Sequence, residues 1–184
     1  MRRMLLGGAA LALSLSFATA PVSAQSGKFY LGAGIAYGSY DLSGVTLAST
    51  YKSNIGYYGE VGLRLGGSLA LGFEADYYNK SDQGAAISVW YYNAALAFYP
   101  GAHDLFIKVL AGYAHTSLNQ GGGSQGGYDM GLGLGYDWHL GGGGLTIVPF
   151  AQYVAQLSSA KFPTTSTDVK SQLFLVGAGI ALNH

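Results

Sequence analysis

The chain has 184 residues with nine basic and nine acidic side chains, so its formal charge is zero and gives no support to a polyanionic partner such as nucleic acid. Cysteine is absent, which excludes disulfide bonds. The composition is 49% apolar, with 30 glycines and 15 tyrosines. After residue 24, however, no apolar run reaches the roughly 18 residues of a membrane helix, which excludes a helical membrane protein.

The first 24 residues are organised like an export signal. Met1, Arg2 and Arg3 form a positive segment, residues 5–17 form an apolar segment, and residues 22–24 form a cleavage site of small side chains. The apolar segment is shorter than the roughly 17–25 residues of a membrane-spanning helix. We therefore expect residues 1–24 to be a cleaved secretory signal peptide. Residues 25–184 then form one domain with seven basic and nine acidic residues, a formal charge of −2.

Eight later segments alternate apolar side chains with small or polar ones, as a strand with one apolar face does. They span about residues 28–40, 52–65, 69–79, 88–99, 104–115, 128–140, 145–157 and 170–182. Short connectors with turn residues at 66–68, 100–103 and 141–144 alternate with longer polar ones. Transmembrane strands need about 9–11 residues, and bacterial barrels have short periplasmic turns and longer extracellular loops. The pattern predicts an all-β fold, an eight-stranded antiparallel up-and-down transmembrane β-barrel.

Aromatic residues on the apolar faces are sorted towards the two ends of the predicted strands. The extracellular set is Tyr37, Tyr57, Tyr77, Trp90, Tyr92, Tyr113, Tyr128 and Tyr153. The periplasmic set is Phe29, Phe98 and Trp138. Because amphipathic rings collect at the level of the lipid headgroups, we interpret the two sets as membrane girdles.

The charged residues of the strand interiors all fall on the opposite, inward-facing set. They are Glu60, Arg64, Glu74, Asp76, Lys108, Asp129 and Asp137. The lipid-facing set, which includes Val109 and Leu132, has no charge, as expected from the cost of about 2–4 kcal/mol for a basic side chain at the bilayer midplane. Gly112 is predicted to face inward and to tolerate serine.

The turn at Gly66 predicts the register between the second and third strands. If Leu65 lies opposite Leu69, Glu60 lies opposite Glu74 inside the barrel. Facing carboxylates repel, so either Arg64 or Lys108 lies between them or one carboxylate holds a proton. We expect a structural salt-bridge network; a gate, or a site that handles protons or cations, is the alternative. The many inward glycines leave open whether side chains fill the lumen or water or a small ligand occupies it.

The opening strand GKFYLGAG (residues 27–34) and the closing strand GAGIAL (residues 177–182) enclose a pattern that resembles the small eight-stranded outer-membrane proteins of bacteria. These are the OmpA-like transmembrane domain and the OmpX/Ail-type barrels. The resemblance covers residues 25–184 and implies a non-catalytic barrel of the outer membrane with a structural role or with loops that bind a ligand. A narrow channel or cavity for small solutes is the alternative.

The resemblance also implies partners. These are outer-membrane lipids and lipopolysaccharide, the barrel-assembly machinery during biogenesis, and an unidentified extracellular ligand of the loops; we expect a monomer. Barrels of this kind usually end on an aromatic residue that the assembly machinery reads, whereas this sequence ends Leu182-Asn183-His184. We also expect no OmpA-like tether to the cell wall, because no peptidoglycan-binding domain follows the barrel.

Few motifs point to catalysis or to a cofactor. His115 and Ser117 are similar to the His-x-Ser pair of outer-membrane lipid A deacylases, a second alternative function, but Leu118 stands where that signature has Asn, and Asp129 is predicted to face the lumen. We expect an ordinary histidine and an ordinary serine, and no enzyme. His103 and His139 lack carboxylate or thiolate support, so we expect neither a metal nor a cofactor.

Overall fold

The computed structural model describes residues 28–43, 53–82, 85–102, 104–119, 123–141, 144–159 and 169–183. The eight long strands are β1 (Lys28–Ser43), β2 (Ser53–Leu65), β3 (Leu69–Asp82), β4 (Ala85–Phe98), β5 (Leu105–Leu118), β6 (Gly123–Tyr136), β7 (Leu145–Gln156) and β8 (Lys170–Asn183). A two-residue strand, Trp138–His139, continues the line of β6 beyond Asp137 and pairs with β7. A 3₁₀ turn at Pro100–Ala102 joins β4 to β5. The predicted signal peptide lies outside the described residues.

Each long strand pairs antiparallel with its neighbours in sequence, and β1 pairs with β8, which closes the sheet into a barrel. The predicted fold is therefore confirmed. In the part of the chain that the structure describes, no helix has the length and apolar character required to cross a membrane.

The strands are staggered around the barrel. If the paired residue is followed from one strand to the next, the path starts at Leu31 of β1 and passes through β2 to β8. It returns to β1 at Asp41, ten residues further along the same strand. In a closed eight-stranded sheet such a stagger requires strands tilted by about 40° from the barrel axis, within the usual range for membrane barrels. Residues at one height therefore come from very different positions along the strands.

The register and the facing of the side chains agree with the prediction. Leu65 pairs with Leu69, and this places Glu60 opposite Glu74. Exposed and buried residues alternate along the strands, with the apolar residues predicted to face lipid on the outside. Within the described strands, no charged side chain lies on the outer face between the two aromatic girdles.

The extracellular ends of the strands differ from the prediction. β3 runs to Asp82 and β4 begins at Ala85, so two residues separate them where a loop over residues 80–86 was expected. β6 begins at Gly123 instead of 128. Beyond the aromatic residues the outward side chains become polar, as at Ser88, Ser117 and Ser124, while backbone pairing continues. Polarity alone was therefore a poor guide to where a strand ends.

Bulky side chains of neighbouring strands fill the space beside the inward glycines. Phe106, Lys108 and Leu110 of β5 lie next to three glycines of β6, namely Gly135, Gly133 and Gly131. The ring of Tyr58 likewise occupies the space where a side chain at Gly34 or Gly179 would lie. These glycines therefore allow dense packing of the lumen.

The expected tolerance of serine at Gly112 is wrong. A Cβ atom there would overlap the carbonyl oxygen of Tyr92 and would lie 2.7 Å from Asn93 Oδ1. The side of the sheet was predicted correctly, but facing inward does not by itself provide room.

Two apolar clusters fill the lumen above and below a polar layer. The extracellular cluster includes Tyr40, Tyr78, Tyr91, Leu110 and Leu173. The periplasmic cluster consists of Tyr30, Ala70, Ala97, Tyr99, Phe106, Val148 and Ala181. Along β5, Lys108 lies between Phe106 of one cluster and Leu110 of the other. The charged residues thus lie between two layers of apolar packing.

We predict that Val109→Arg or Leu132→Arg prevents assembly. The two residues pair on the lipid face and are 40% and 62% exposed, and a basic side chain there costs about 2–4 kcal/mol at the bilayer midplane. The measurement is the shift in gel mobility between unheated and boiled samples in detergent. Ser117→Arg, on the same outer face at the extracellular end, is the matched control. Folding of both midplane variants at wild-type yield would contradict the facing.

Candidate functional site

The polar layer of the lumen is organised around Glu74, which is completely buried. Lys108 Nζ forms an ion pair with Glu74 Oε2 and lies 3.4 Å from Glu60 Oε2. The cation between the two facing carboxylates is therefore Lys108, which reaches them from β5 across the lumen. Both alternatives for this cation, Arg64 and Lys108, were open from the sequence.

Gln152 of β7 completes the contacts of Glu74 and adds Asp76. Its amide nitrogen donates to Glu74 Oε1 at 2.9 Å and to Asp76 Oδ1 at 3.0 Å. Gly133 lies between Lys108 and Gln152 in the register of β5, β6 and β7. A Cβ at Gly133 would lie 3.3 Å from Gln152 Cβ and 3.5 Å from Lys108 Cβ. This glycine therefore lets two long side chains extend side by side towards β3.

Arg64 belongs to a second, separate group. Its guanidinium forms an ion pair with Asp137 and donates to the Tyr99 hydroxyl at 3.1 Å. The guanidinium carbon also lies 4.6 Å from the centre of the Tyr99 ring, a cation–π contact. The single network expected from the sequence is thus two groups, one at mid-lumen and one nearer the periplasm. Asp137 lies where β6 is interrupted, and this places its carboxylate within reach of β2.

A cavity of about 20 Å³ separates the two groups and is bordered by Glu60, Arg64, Lys108 and Asp137. Such a volume accommodates one water molecule. The sequence left open whether side chains fill the lumen or whether water or a small ligand occupies it. In this part of the lumen side chains fill the space and leave room for about one water molecule.

Asp129 and Asn93 also face the lumen, but neither side chain forms a hydrogen bond with any other residue that the structure describes. They are 2% and 0% exposed. All seven predicted lumen residues therefore point inward, but they differ in whether they are neutralised.

The residues considered for lipid A hydrolysis are not assembled into a site. His115 and Ser117 lie on the outer face of β5, opposite Trp90 and Ser88 of β4. Asp129 is inside the barrel, where it pairs in register with Gly112. A catalytic histidine needs an acid that orients it and a hydroxyl that it activates. The wall of the barrel separates Asp129 from His115.

A different histidine does link an acid to a hydroxyl, and the sequence reasoning missed it. His139 Nε2 lies 3.2 Å from Asp104 Oδ1, and His139 Nδ1 lies 3.1 Å from Thr146 Oγ1. Asn183 donates to the same Thr146 oxygen at 2.9 Å. Because Thr146 is completely buried, its hydroxyl is closed to substrates, and the chain of contacts joins the periplasmic ends of β5 to β8. The signal was in the register, since His139 pairs with Thr146. His103 lies outside the described residues.

Comparison with known proteins identifies the family. The model of the family described as "Outer membrane protein beta-barrel domain" matches residues 9–181. The chain belongs to this family. A search among curated protein sequences gave no match.

Solved structures of other outer-membrane barrels have the same fold. Ail, the attachment invasion locus protein of Yersinia pestis, is 17% identical, with 85% of this chain and 99% of Ail covered and a TM-score of 0.56. Neisserial surface protein A is 15% identical, with 84% and 96% covered and a TM-score of 0.60. A structure of Ail in complex with the heparin analogue sucrose octasulfate gives 17% identity, coverage of 85% and 99%, and a TM-score of 0.51. These likenesses concern the fold.

In this outer-membrane barrel, the eleven residues of the two predicted girdles lie on the outer face of the sheet. Several of the extracellular rings are in contact. Tyr77 stacks on Trp90 with ring centres 4.3 Å apart, and Tyr113 meets Tyr128 edge to face at 6.2 Å. The contacts join neighbouring strands at one height, as expected of rings at a membrane boundary.

We predict that the two lumen groups are energetically independent. Lys108→Met leaves Glu74 and Glu60 without their cation and lowers the free energy of unfolding by about 3–5 kcal/mol. Adding Glu74→Gln restores part of this loss, because the carboxylate that lacked a cation has been removed. The measurement is urea unfolding in detergent, analysed as a double-mutant cycle.

The matched control is Asp137→Asn, which removes a carboxylate of the Arg64 group. Its effect adds to that of Lys108→Met within about 0.5 kcal/mol. Additivity between Lys108→Met and Glu74→Gln would instead show that their contact contributes nothing to stability.

Proposed function

We propose that the protein is a non-catalytic outer-membrane barrel whose function resides in its extracellular surface, as a structural envelope component and as a scaffold for ligand-binding loops. The observation that carries this proposal is the dense packing of the described lumen side chains. Transport requires a continuous path through the barrel, and near the periplasmic end the described side chains leave a cavity of only about 20 Å³ between Glu60, Arg64, Lys108 and Asp137.

Three buried tyrosines block the extracellular half of the lumen. Tyr40 and Tyr78 stack with ring centres 5.4 Å apart, and both are almost completely buried. The hydroxyl of Tyr91 donates to Ser171 Oγ at 3.0 Å, and Tyr40 and Thr116 are joined by a hydrogen bond of 3.3 Å. Because these bonds tie rings to strands on several sides of the barrel, opening a path would require several of them to break together. This argues against the narrow channel.

The extended strands support a role at the extracellular surface. β1, β3, β4, β5 and β6 continue several residues beyond the aromatic belt. Ser88 of β4, Ser117 of β5 and Ser124 of β6 give the outer faces of these extensions a polar character. Such extensions place the ends of these strands beyond the aromatic belt, and loops that follow from a rigid scaffold commonly present binding residues.

Two proteins of similar fold are consistent with a role at the cell surface. One is the attachment invasion locus protein Ail and the other is Neisserial surface protein A. The complex with the heparin analogue sucrose octasulfate concerns Ail alone. With a formal charge of −2 for residues 25–184, we expect no affinity for heparin.

The remaining assignments complete the proposal. Residues 1–24 direct export and are removed, residues 25–184 form the barrel, and the assembly machinery inserts it as a monomer. The stacked aromatic belt contacts outer-membrane lipids and lipopolysaccharide. Catalysis is not part of the proposal, because Asp129 is inside the barrel and Thr146 is buried.

We predict that the purified barrel gives no steady conductance in planar lipid bilayers, because side chains fill its lumen. A variant with Tyr40→Ala, Tyr78→Ala and Tyr91→Ala removes the three rings and should conduct small ions. Tyr37→Ala, which truncates an outward tyrosine of the girdle, is the matched control and should remain closed. Steady conductance of the wild-type protein would favour the channel.

The surface role predicts that binding by displayed barrels depends on the connectors. Cells that display the wild-type barrel are compared, on a panel of host matrix components and heparin, with cells displaying barrels in which residues 44–52 or 160–168 are replaced by short Gly-Ser turns. We expect loss of binding to at least one component and no binding to heparin by either form. Equal binding by wild type and both replacements would argue against loop-mediated binding.

A further inference from the structure

The interior of the barrel has an excess of negative charge. Among the described residues, five carboxylates face the lumen. The basic side chains of the same inward set are Arg64 and Lys108, which lie among the carboxylates, and Lys28 and Lys80, which lie towards the two ends of the barrel. The carboxylates are Glu60, Glu74, Asp76, Asp129 and Asp137. Arg64 neutralises Asp137, and Lys108 is shared by Glu60 and Glu74. Neither Asp76 nor Asp129 forms an ion pair with a basic side chain of the described residues, although burying an unpaired carboxylate is costly.

Four oxygen atoms in this layer have no hydrogen-bond partner among the described residues. They are Asp76 Oδ2, Asn93 Oδ1, Asp129 Oδ1 and Asp129 Oδ2. Asp76 and Asn93 are 0% exposed and Asp129 is 2% exposed. One donor of the layer, Asn93 Nδ2, also lacks a partner among the described residues. Buried polar atoms are normally paired, so four acceptors with a single free donor among them point to a partner that is not a protein side chain.

The register places these oxygens on one stretch of the inner wall. Asn93 pairs with Glu74 on one side and with Gly112 on the other, and Gly112 pairs with Asp129. Asn93 Oδ1 lies 2.7 Å from the position of a Cβ on Gly112, so the amide leans over the glycine towards the strand of Asp129. Asp76 is two residues from Glu74 on the same inward face of β3. The glycine thus keeps the space between Asn93 and Asp129 free of a side chain.

We propose that Asp76, Asn93 and Asp129 bind one divalent cation of the hard, oxygen-preferring class, Ca²⁺. The two carboxylates supply two negative charges, which a divalent ion balances, and the amide oxygen supplies a neutral ligand. No three acidic or histidine side chains of the described segments converge on one point, so the ion takes its other ligands from water. Ca²⁺ accepts such irregular sets of oxygens, whereas Mg²⁺ demands a near-ideal octahedron.

The contacts of the neighbouring residues explain why Glu74 is not among the proposed ligands. Lys108 and Gln152 occupy both oxygens of Glu74, and Gln152 holds Asp76 through Oδ1, which leaves Oδ2 available. Glu74 is therefore committed to the protein, and Asp76 and Asp129 are the carboxylates that remain for a ligand.

The test uses the full barrel, refolded into detergent micelles with either Ca²⁺ or EDTA. We expect the midpoint of thermal unfolding to be about 5–10 °C higher at a hundredfold excess of Ca²⁺ over its dissociation constant, and the increase to be smaller with Mg²⁺. Terbium, which replaces Ca²⁺ at oxygen sites, should show luminescence sensitised by the lumen tyrosines, and Ca²⁺ should compete it away.

Asp129→Asn should abolish the response to Ca²⁺ and the competed terbium signal. The matched control, Asp41→Asn, changes an exposed carboxylate on the outer face of β1 and should keep both. Asn93→Ala provides a second variant should Asp129→Asn fail to fold, and it should weaken Ca²⁺ binding at least tenfold. Equal midpoints of the wild-type protein in Ca²⁺ and EDTA would overturn the proposal, and so would a full response in both lumen variants. A wild-type midpoint that ignores Ca²⁺ but falls as pH rises would assign the neutralising role to protons instead.

Discussion

The pairing of β1 with β8 is the interaction on which the rest of the structure depends. In the hydrocarbon of a membrane, no water is available to bond the backbone groups of an open sheet edge, so only a closed sheet is stable there. Closure has a direct effect on the side chains. It divides them into one set that faces lipid and one that faces a narrow lumen, and it requires every strand to keep the same division over its whole transmembrane length.

The lumen therefore takes the place that a core has in a water-soluble domain. Its packing is built from bulky residues of one strand beside glycines of the next, as Phe106 lies beside Gly135 and Tyr58 beside Gly34 and Gly179. Charged residues are retained at mid-height, where Lys108, Gln152 and Glu74 connect opposite sides of the wall. These short polar contacts join two sides of the barrel wall and so resist distortion of its cross-section. Neither the outer side chains nor the backbone hydrogen bonds alone would prevent that distortion.

Successive side chains of a strand point to opposite faces, and the features that follow from this alternation could be predicted from the sequence. Alternation identified the outward position of Leu132 and the inward position of Glu60, and a single turn at Gly66 set the pairing of Leu65 with Leu69. Partners across the lumen were less accessible, because they depend on the stagger of all eight strands. Arg64 was one of two candidates for the cation between Glu60 and Glu74, but it pairs with Asp137. The contact of His139 with Thr146 depends on the short continuation of β6. Gly112 shows the same limit. The prediction that it faces inward was correct, but the prediction that a serine side chain would fit there was wrong.

The closing seam joins Leu31 to Leu182, positions near opposite ends of the described chain. Every other strand pair is a contact between neighbours in sequence, so no hairpin can complete the ladder until the last strand has been synthesised and delivered. The entropy of bringing such distant segments together grows slowly with chain length, but contacts of large sequence separation slow folding considerably. A partly synthesised barrel therefore exposes two unpaired edges for an extended period, and its survival depends on protection from other chains until the first and last strands meet.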